Sequence, residues 1–252
     1  MEGRVHEAAA IGFQRSAEAY ERGRPAYPQV AVQWLVDLLD LRPGRLVVDL
    51  AAGTGKLTRM LVPTGATVVP VEPVLGMCSV LAEAVPDVPI VAGAAEQLPV
   101  ADAGVDVVTV AQAFHWFDGS RALAEVHRVL SPGGWLALVW NRRDLQDPVH
   151  QEISRIIDPY RGDTPSHHCE HWRRPLQETR LFNRPQEVAF ANEQVLDVNG
   201  LVDRVMSTSF LAALSTGKQQ AVVASLRALA VRHEGSVVLP YRTEIQAFAR
   251  SS

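Results

Sequence analysis

Cysteine is almost missing from the 252-residue sequence: Cys78 and Cys169 are the only two, in unlike contexts and without a Cys-x-x-Cys spacing. That excludes a disulfide framework and a zinc knuckle, and it makes a reducing cytoplasm the expected compartment. Long apolar runs are missing too. No stretch of about 18 uncharged apolar residues occurs, so no membrane-spanning helix is expected, and Glu2, Arg4, His6 and Glu7 precede any apolar segment, unlike a secretory leader. An excess of positive charge is also lacking: 24 Lys and Arg stand against 28 Asp and Glu, a formal net charge of -4. Binding a polyanion would gain little from counterion release, which disfavours a nucleic-acid partner. Repeats and low-complexity tracts are absent. What remains is 47% hydrophobic and 21% charged, the balance of a globular chain able to bury a sizeable core.

Order along the chain carries more information. Pro28 starts a helical pattern of Ala31, Trp34, Leu35 and Leu38 that Pro43-Gly44 stops. Leu46 to Leu50 reads as a strand, closed by the small residues Ala51 to Gly55 and followed by a short helix through Leu57 and Leu61. Further strands are expected at Thr67 to Val71, Ile90 to Ala92, Val105 to Ala111 and Trp135 to Trp140. Helices are expected at Leu75 to Ala84 and Arg121 to Leu130. Strands alternating with helices at this spacing predict a parallel sheet covered on both faces, a doubly wound α/β fold. After Asn141 the regularity weakens. A helix over Asp147 to Ile157, a loop over 158 to 175, a strand over Gln186 to Val195, helices over Leu201 to Met206 and Gln219 to Val231, and a long strand over Val237 to Ala249 are expected. The last strand is placed beside the strand near residue 190. The whole gives a seven-stranded Rossmann-like sheet with a helical cap. Residues 1 to 45 form N-terminal helices and a lid, 46 to 141 the binding core, and 142 to 252 the cap and closing strands of the same domain.

The small residues of Val48-Asp49-Leu50-Ala51-Ala52-Gly53-Thr54-Gly55 stand where an open α/β sheet binds ligands, at the carboxyl end of its first strand. Glu72, at the end of the second strand, is where a ribose diol would be held by charge-assisted hydrogen bonds. A nicotinamide dinucleotide is the obvious rival, but its fingerprint requires Gly-x-Gly-x-x-Gly and here Gly53 and Gly55 are followed by Thr58. Asp49, just before the turn, suits a ligand with an α-amino group better than one with a pyrophosphate.

At these residues the sequence resembles a known family. VVDLAAGTGKLT, VEP with Met77 behind it, GAAEQLP, VTVAQAFHWFD and EVHRVLSPGGWLALVWN together resemble class I methyltransferases of the type 11, trans-aconitate methyltransferase-like group. FQRSAEAYERGRPAYP is similar to the N-terminal helix of that group, and VLPYRTEIQAFAR to its closing strand. The resemblance implies S-adenosyl-L-methionine as cofactor and S-adenosyl-L-homocysteine as product. By the same resemblance the backbone at Gly53 and Gly55 lies against the methionine part, Glu72 holds the ribose, and Met77, beyond Pro73, packs on adenine. Ala95 offers its backbone to adenine between Ala94 and Glu96, and Ala94 replaces an aspartate of many relatives. Ala51 stands where the usual turn has its first glycine. Tyr20 and Arg24 belong to a segment that folds over the cofactor, with Arg24 against the methionine carboxylate, and Asp49 and Gln112 complete the cofactor set.

The acceptor side is expected just beyond the fourth strand. His115 is the candidate catalytic residue, as a general base or as a group that orients a carboxylate. Tyr27, Trp116, Trp140, Trp172 and Phe210 are candidate acceptor-lining residues, their aromatic area suggesting pocket walls. His167, His168, Cys169 and His171 invite a metal reading. They crowd one loop-like segment without spaced pairs, and transfer from a sulfonium needs no Lewis acid, so no metal is expected. The expected activity is methyl transfer to an oxygen, nitrogen, carbon or carboxylate of a small-molecule acceptor, driven by positioning, in a monomer or homodimer. The alternatives are a non-methylating protein that keeps the fold and a nicotinamide-dependent dehydrogenase.

Overall fold

The structure is a computed structural model, and it describes residues 17–162, 164 and 170–251. Among these residues six strands form one sheet: β1 (Leu46–Leu50), β2 (Thr67–Val71), β3 (Val105–Ala111), β4 (Leu130–Arg143), β5 (Gln186–Asp197) and β6 (Ser236–Ala249), in the order β2-β1-β3-β4-β6-β5. The first four are parallel, and β6 runs antiparallel to both β4 and β5. β6 therefore lies inside the sheet, and β5 is its edge. Since β1 turns toward β2 on one side while the chain continues to β3 on the other, the switch point for a ligand lies above the carboxyl ends of β1 and β3.

The helices are α1 (residues 17–23), α2 (Gln29–Leu39), α3 (Thr58–Leu61), α4 (Leu75–Ala84), α5 (Gly119–Val129), α6 (Pro148–Ile157), α7 (Arg174–Glu178), α8 (Val198–Met206), α9 (Ser209–Ala212) and α10 (Thr216–Arg232). Side-chain alternation along the strands divides the core. Val47, Val107, Ala137 and Val139 face α2 and α3, while Val48, Val108, Val110, Leu136 and Leu138 face α5. Each fully buried valine or leucine contributes about 1.5–3 kcal/mol, so both faces are well supplied. A third apolar cluster joins α6, α8, α9 and α10 to the start of β6 through Ile153, Leu201, Phe210, Leu226 and Leu239. Asp118, Asp147 and Asp197 cap α5, α6 and α8 by accepting from Arg121, His150 and Gly200 N–H.

The short helices α7 and α9, and 3-10 turns at Asp158–Tyr160 and Glu170–Arg173 within the expected loop, are additions to the sequence reading, and two strands differ from it. Ile90 to Ala92 adds no seventh strand: Val91 makes one isolated parallel bridge to Val71, with Val91 N–H on the Pro70 carbonyl and Glu72 N–H on the Val91 carbonyl. The next rung upstream would need N–H donors from Pro70 and Pro89, and neither proline has one. β4 is longer than expected because Leu130 already pairs with Val105. The chain then bulges through Ser131 to Gly134 before Trp135 meets Val107. Gly134 is required there, since a Cβ would lie 2.9 Å from the Asp106 carbonyl oxygen.

Candidate active site

The turn after β1 passes through three residues of positive φ: Ala51 (53°), Gly53 (59°) and Gly55 (82°). Only the two glycines adopt this region freely, and the alanine bears roughly 1–2 kcal/mol of strain. The glycines differ in purpose. A Cβ on Gly53 would meet nothing within 4 Å, so the turn has an open face there, whereas one on Gly55 would lie 2.3 Å from Leu81 Cδ1. Gly55 thus admits α4 against the turn.

Glu72 ties this turn to β2. One carboxylate oxygen accepts from Gly53 N–H at 2.8 Å and the other from Val74 N–H at 2.8 Å. Burial pushes its pKa up to about 7, against the lowering effect of the two N–H donors. Asp49 lies deeper, fully buried, accepting from Thr58 Oγ1 at 2.6 Å and Thr109 Oγ1 at 2.8 Å. Burial raises it to about 6. Its carboxylate supports the turn from below.

A first cavity, about 760 Å³ and open to solvent, lies above the turn. Ala51, Gly53, Glu72 and Pro73 form its floor and one end, and Met77 and Val74 from the start of α4 one wall. Ala94, Ala95 and Glu96 form the opposite wall, and Glu96 is fixed by accepting from Asp118 N–H at 2.9 Å. Tyr20, Gln112 and Trp116 close the remaining side. A smaller recess beside the turn is bordered by Arg24, Tyr27, Thr54 and Lys56.

The second cavity, about 910 Å³, lies between the sheet and the helices after β4. Tyr20, Gln112 and Trp116 border it as well, so the two cavities share a wall. His115 sits on that side, its ring 4.8 Å from Trp116 and 5.6 Å from Trp140. Phe210 borders it from α9, with the Arg161 guanidinium over its ring. Four arginines, Arg24, Arg143, Arg161 and Arg204, also line it. Arg161 is paired with Asp158. Arg204, 8% exposed, donates to the Tyr241 hydroxyl at 2.7 Å, and Arg24 donates to Ser207 Oγ at 3.1 Å. The Arg143 side chain has no hydrogen bond or ion pair among the described residues. Burial and the nearby Arg204 charge bring both Arg24 and Arg143 down to about 10.

The N-terminal segment is fastened over both cavities. Lys56 Nζ donates to the Glu21 carbonyl at 2.7 Å, Arg59 pairs with the Glu21 carboxylate at 2.8 Å, and Arg22 pairs with Asp203 at 2.7 Å. A Cβ on Gly23 would lie 2.5 Å from the Arg204 backbone nitrogen, so only glycine lets α1 end this close to α8. Asn141 then donates to the carbonyls of Pro25 and Ala26.

The expected site residues are therefore brought together with five exceptions. Asp49 and Gly55 support the turn without bordering either cavity. Trp140 and Trp172 do not line the second cavity: they stack on each other at 4.8 Å in the apolar core, 2% and 9% exposed, on the sheet face that α5 covers. Tyr27 is buried beside the turn, in the recess with Lys56, away from the second cavity. His167, His168 and Cys169 lie outside the described residues, and among those described no cluster could hold a metal ion.

Arg143, His150, Arg204 and Tyr241 also line the second cavity and are not singled out by the sequence. Arg204 carries a usable signal, being the one charge in the buried stripe Leu201, Arg204, Val205 of α8. Arg143 offers only its place at the end of a long strand.

Residues 48–138 match the model of a methyltransferase domain family. A methyltransferase of Mycobacterium tuberculosis of uncharacterized specificity is 38% identical over 243 residues, covering 93% of each chain. A methyltransferase-like protein of Schizosaccharomyces pombe is 33% identical over 237 residues, 92% of each. Among solved structures, a type II methyltransferase candidate from Anaeromyxobacter dehalogenans superposes with a TM-score of 0.64 at 24% identity, over 90% of this chain and 97% of the other.

Proposed function

The chain belongs to the class I methyltransferases, and from that premise we propose that it transfers the methyl group of S-adenosylmethionine to a small organic anion bound in the arginine-lined cavity. The observation that carries the reading is the shared wall of Tyr20, Gln112 and Trp116, which puts the cavity above the glycine turn and the arginine-lined one back to back.

The residues present fit the cofactor. Glu72, 4% exposed, uses one acceptor position of each oxygen on a backbone N–H and keeps others for ribose hydroxyls. The open face of Gly53 admits a close neighbour, and Met77 and Val74 offer an apolar wall to adenine. Arg24 and Lys56, in the recess beside the turn, suit the carboxylate of the methionine tail. Where a dinucleotide fold needs its third glycine, Thr58 is buried and bonded to Asp49, which argues against the dehydrogenase alternative. Bound S-adenosylmethionine supplies a methyl group already activated by its sulfonium.

The chain's own work is then positioning. Arg143 and Arg204 bind the anion, two guanidiniums that make no ion pair among the described residues, at a half-buried and a buried site. Trp116 and Phe210 wall the acceptor, and His115 orients it or takes its proton. The fastened N-terminal segment keeps water out of the junction.

Incubation with methyl-labelled cofactor and a panel of acids, amines and neutral alcohols, read by a mass gain of one methyl, tests the whole reading. Label is expected in acids, and Arg143→Met should raise the KM of the best acid about tenfold or more with kcat little changed. Faster labelling of neutral or cationic acceptors would overturn the anion assignment.

A further inference from the structure

His150 is the third residue of α6, and its backbone N–H donates to the Asp147 carboxylate that caps the helix, at 2.9 Å. The cap holds the imidazole, 1% exposed, in the wall of the second cavity, against β6. Nε2 lies 2.9 Å from the Pro240 carbonyl oxygen. A carbonyl oxygen can only accept, so Nε2 carries the hydrogen, and in the neutral ring Nδ1 is an acceptor alone. Burial, together with the Arg143 and Arg204 charges, pulls the imidazole down to about 4 and keeps it neutral near pH 7. Nδ1 itself is buried and has no hydrogen-bond partner among the described residues. A buried acceptor without a donor bears a desolvation cost that a donor on a ligand would remove.

The cavity is thus bordered by guanidiniums that can only donate and by His150, whose neutral, buried Nδ1 can only accept. An ammonium group could satisfy the nitrogen, but Arg143 and Arg204 would repel it. A hydroxyl group can donate without bringing positive charge.

We propose that the acceptor is an oxyanion-bearing small molecule that also carries a hydroxyl group, its carboxylate or phosphate on Arg143 and Arg204 and its hydroxyl donating to His150 Nδ1. This rests on the reading of the arginine-lined cavity as the acceptor site. His150 is on this view a specificity residue, selecting the hydroxylated member among acids of similar size and charge.

Three pairs of probes differ by one hydroxyl: malate and succinate, citrate and tricarballylate, glycerol 3-phosphate and propyl phosphate. Their binding to the full chain with S-adenosylhomocysteine present can be measured by calorimetry. At least one hydroxylated member should bind wild type about tenfold or more tightly than its partner, and the pair that does so identifies carboxylate or phosphate as the anion. His150→Gln keeps a donor where Nε2 meets Pro240 but deletes the Nδ1 acceptor; it should lose the preference while binding the unhydroxylated acid as wild type does. His150→Asn keeps an acceptor near Nδ1 but gives up the Pro240 bond, and should retain the preference at a lower melting temperature. A purely structural histidine would show the reverse, with the Gln variant normal in every respect. Equal binding within every pair by wild type, or a preference that survives in His150→Gln, would overturn the proposal while leaving the anion reading intact. Failure of all six probes to bind would overturn the anion reading and this inference with it.

Discussion

Arg24 Nε lies 3.1 Å from Ser207 Oγ, a hydrogen bond between residues 183 positions apart that joins the end of the N-terminal helix to the end of α8. Its guanidinium also borders both the acceptor cavity and the recess beside the glycine turn. If it holds the methionine carboxylate, Arg24→Ala should weaken S-adenosylhomocysteine binding by about 1.5–3 kcal/mol, while Ser207→Ala, which removes a neutral partner that also donates to the Arg204 carbonyl, should cost about 1–3 kcal/mol of fold stability and little affinity. Calorimetry on both variants decides. Equal losses of affinity would make Arg24 a fastening residue and nothing more.

Glu72 and Asp49 predict opposite pH trends for binding and for stability. Both are raised by burial, to about 7 and about 6, above values near 4 in the unfolded chain. The folded protein therefore holds protons that the unfolded chain has shed, so this stabilisation is complete below about pH 4 and is lost as pH rises through 6 and 7. If Glu72 holds the ribose, whose hydroxyls donate to its ionised form, cofactor affinity should climb as pH rises through about 7. Melting of the ligand-free protein and calorimetry of S-adenosylhomocysteine, each from about pH 5.5 to 8.5, check the two slopes. Glu72→Gln should flatten the affinity slope, remove the stability slope near pH 7 while leaving that of Asp49 near pH 6, and weaken binding by about 1.5–3 kcal/mol; an unchanged affinity would remove Glu72 from the ribose site.

The two ends of the glycine turn should respond in opposite senses to the same atoms. Gly55→Ala adds a methyl 2.3 Å from Leu81 Cδ1 at a φ of 82°, a clash and a strain together, and should cost roughly 2–4 kcal/mol. Ala51→Gly relieves the strain at a φ of 53° but loosens the unfolded chain, so stability should change by less than about 1 kcal/mol. Denaturant titration reads both. A well-tolerated Gly55→Ala would mean that α4 can withdraw from the turn.

His115 stands beside Trp116 at the junction of the two cavities. His115→Ala should lower the single-turnover rate roughly a hundredfold, with cofactor affinity preserved, and should flatten the acidic limb of the pH profile if the ring takes a proton. A loss without that change identifies an orienting role. Wild-type rate and acceptor affinity in the variant would leave proximity as the whole mechanism.

Much of this site is legible in sequence because the half around the glycine turn depends on backbone chemistry with local signatures. Small residues after Leu50 and an acid after Val71 follow from where strands end, and the cavity above the turn is bordered by the residues those signatures name. Tryptophans mislead for a physical reason: the size of Trp140 suggests a pocket wall, but alternation along β4 turns it to the α5 face. The arginine-lined half resists reading because its charges come from distant elements. Arg143 ends β4, Arg204 lies on α8, and His150 sits in the first turn of α6; nothing in their spacing announces that the fold stacks them around one space. Ile90 to Ala92 has strand composition, yet whether it pairs depends on donors in another segment.

The prolines that limit that pairing also protect the sheet. On the outer side of β2 the outward-facing backbone groups belong to Val68, Pro70 and Glu72, and Glu72 already donates to Val91. Pro70 has no hydrogen to offer, so Val68 is left with the single outward N–H of the three. A foreign strand arriving at this margin would find one donor where a ladder needs several, and self-association by strand addition is blocked there. The opposite margin has no such guard: β5 runs for twelve residues without a proline. If copies of this protein aggregate through their sheets under stress, they should do so through β5, and protection of its amides from hydrogen exchange in the aggregate would mark the seam.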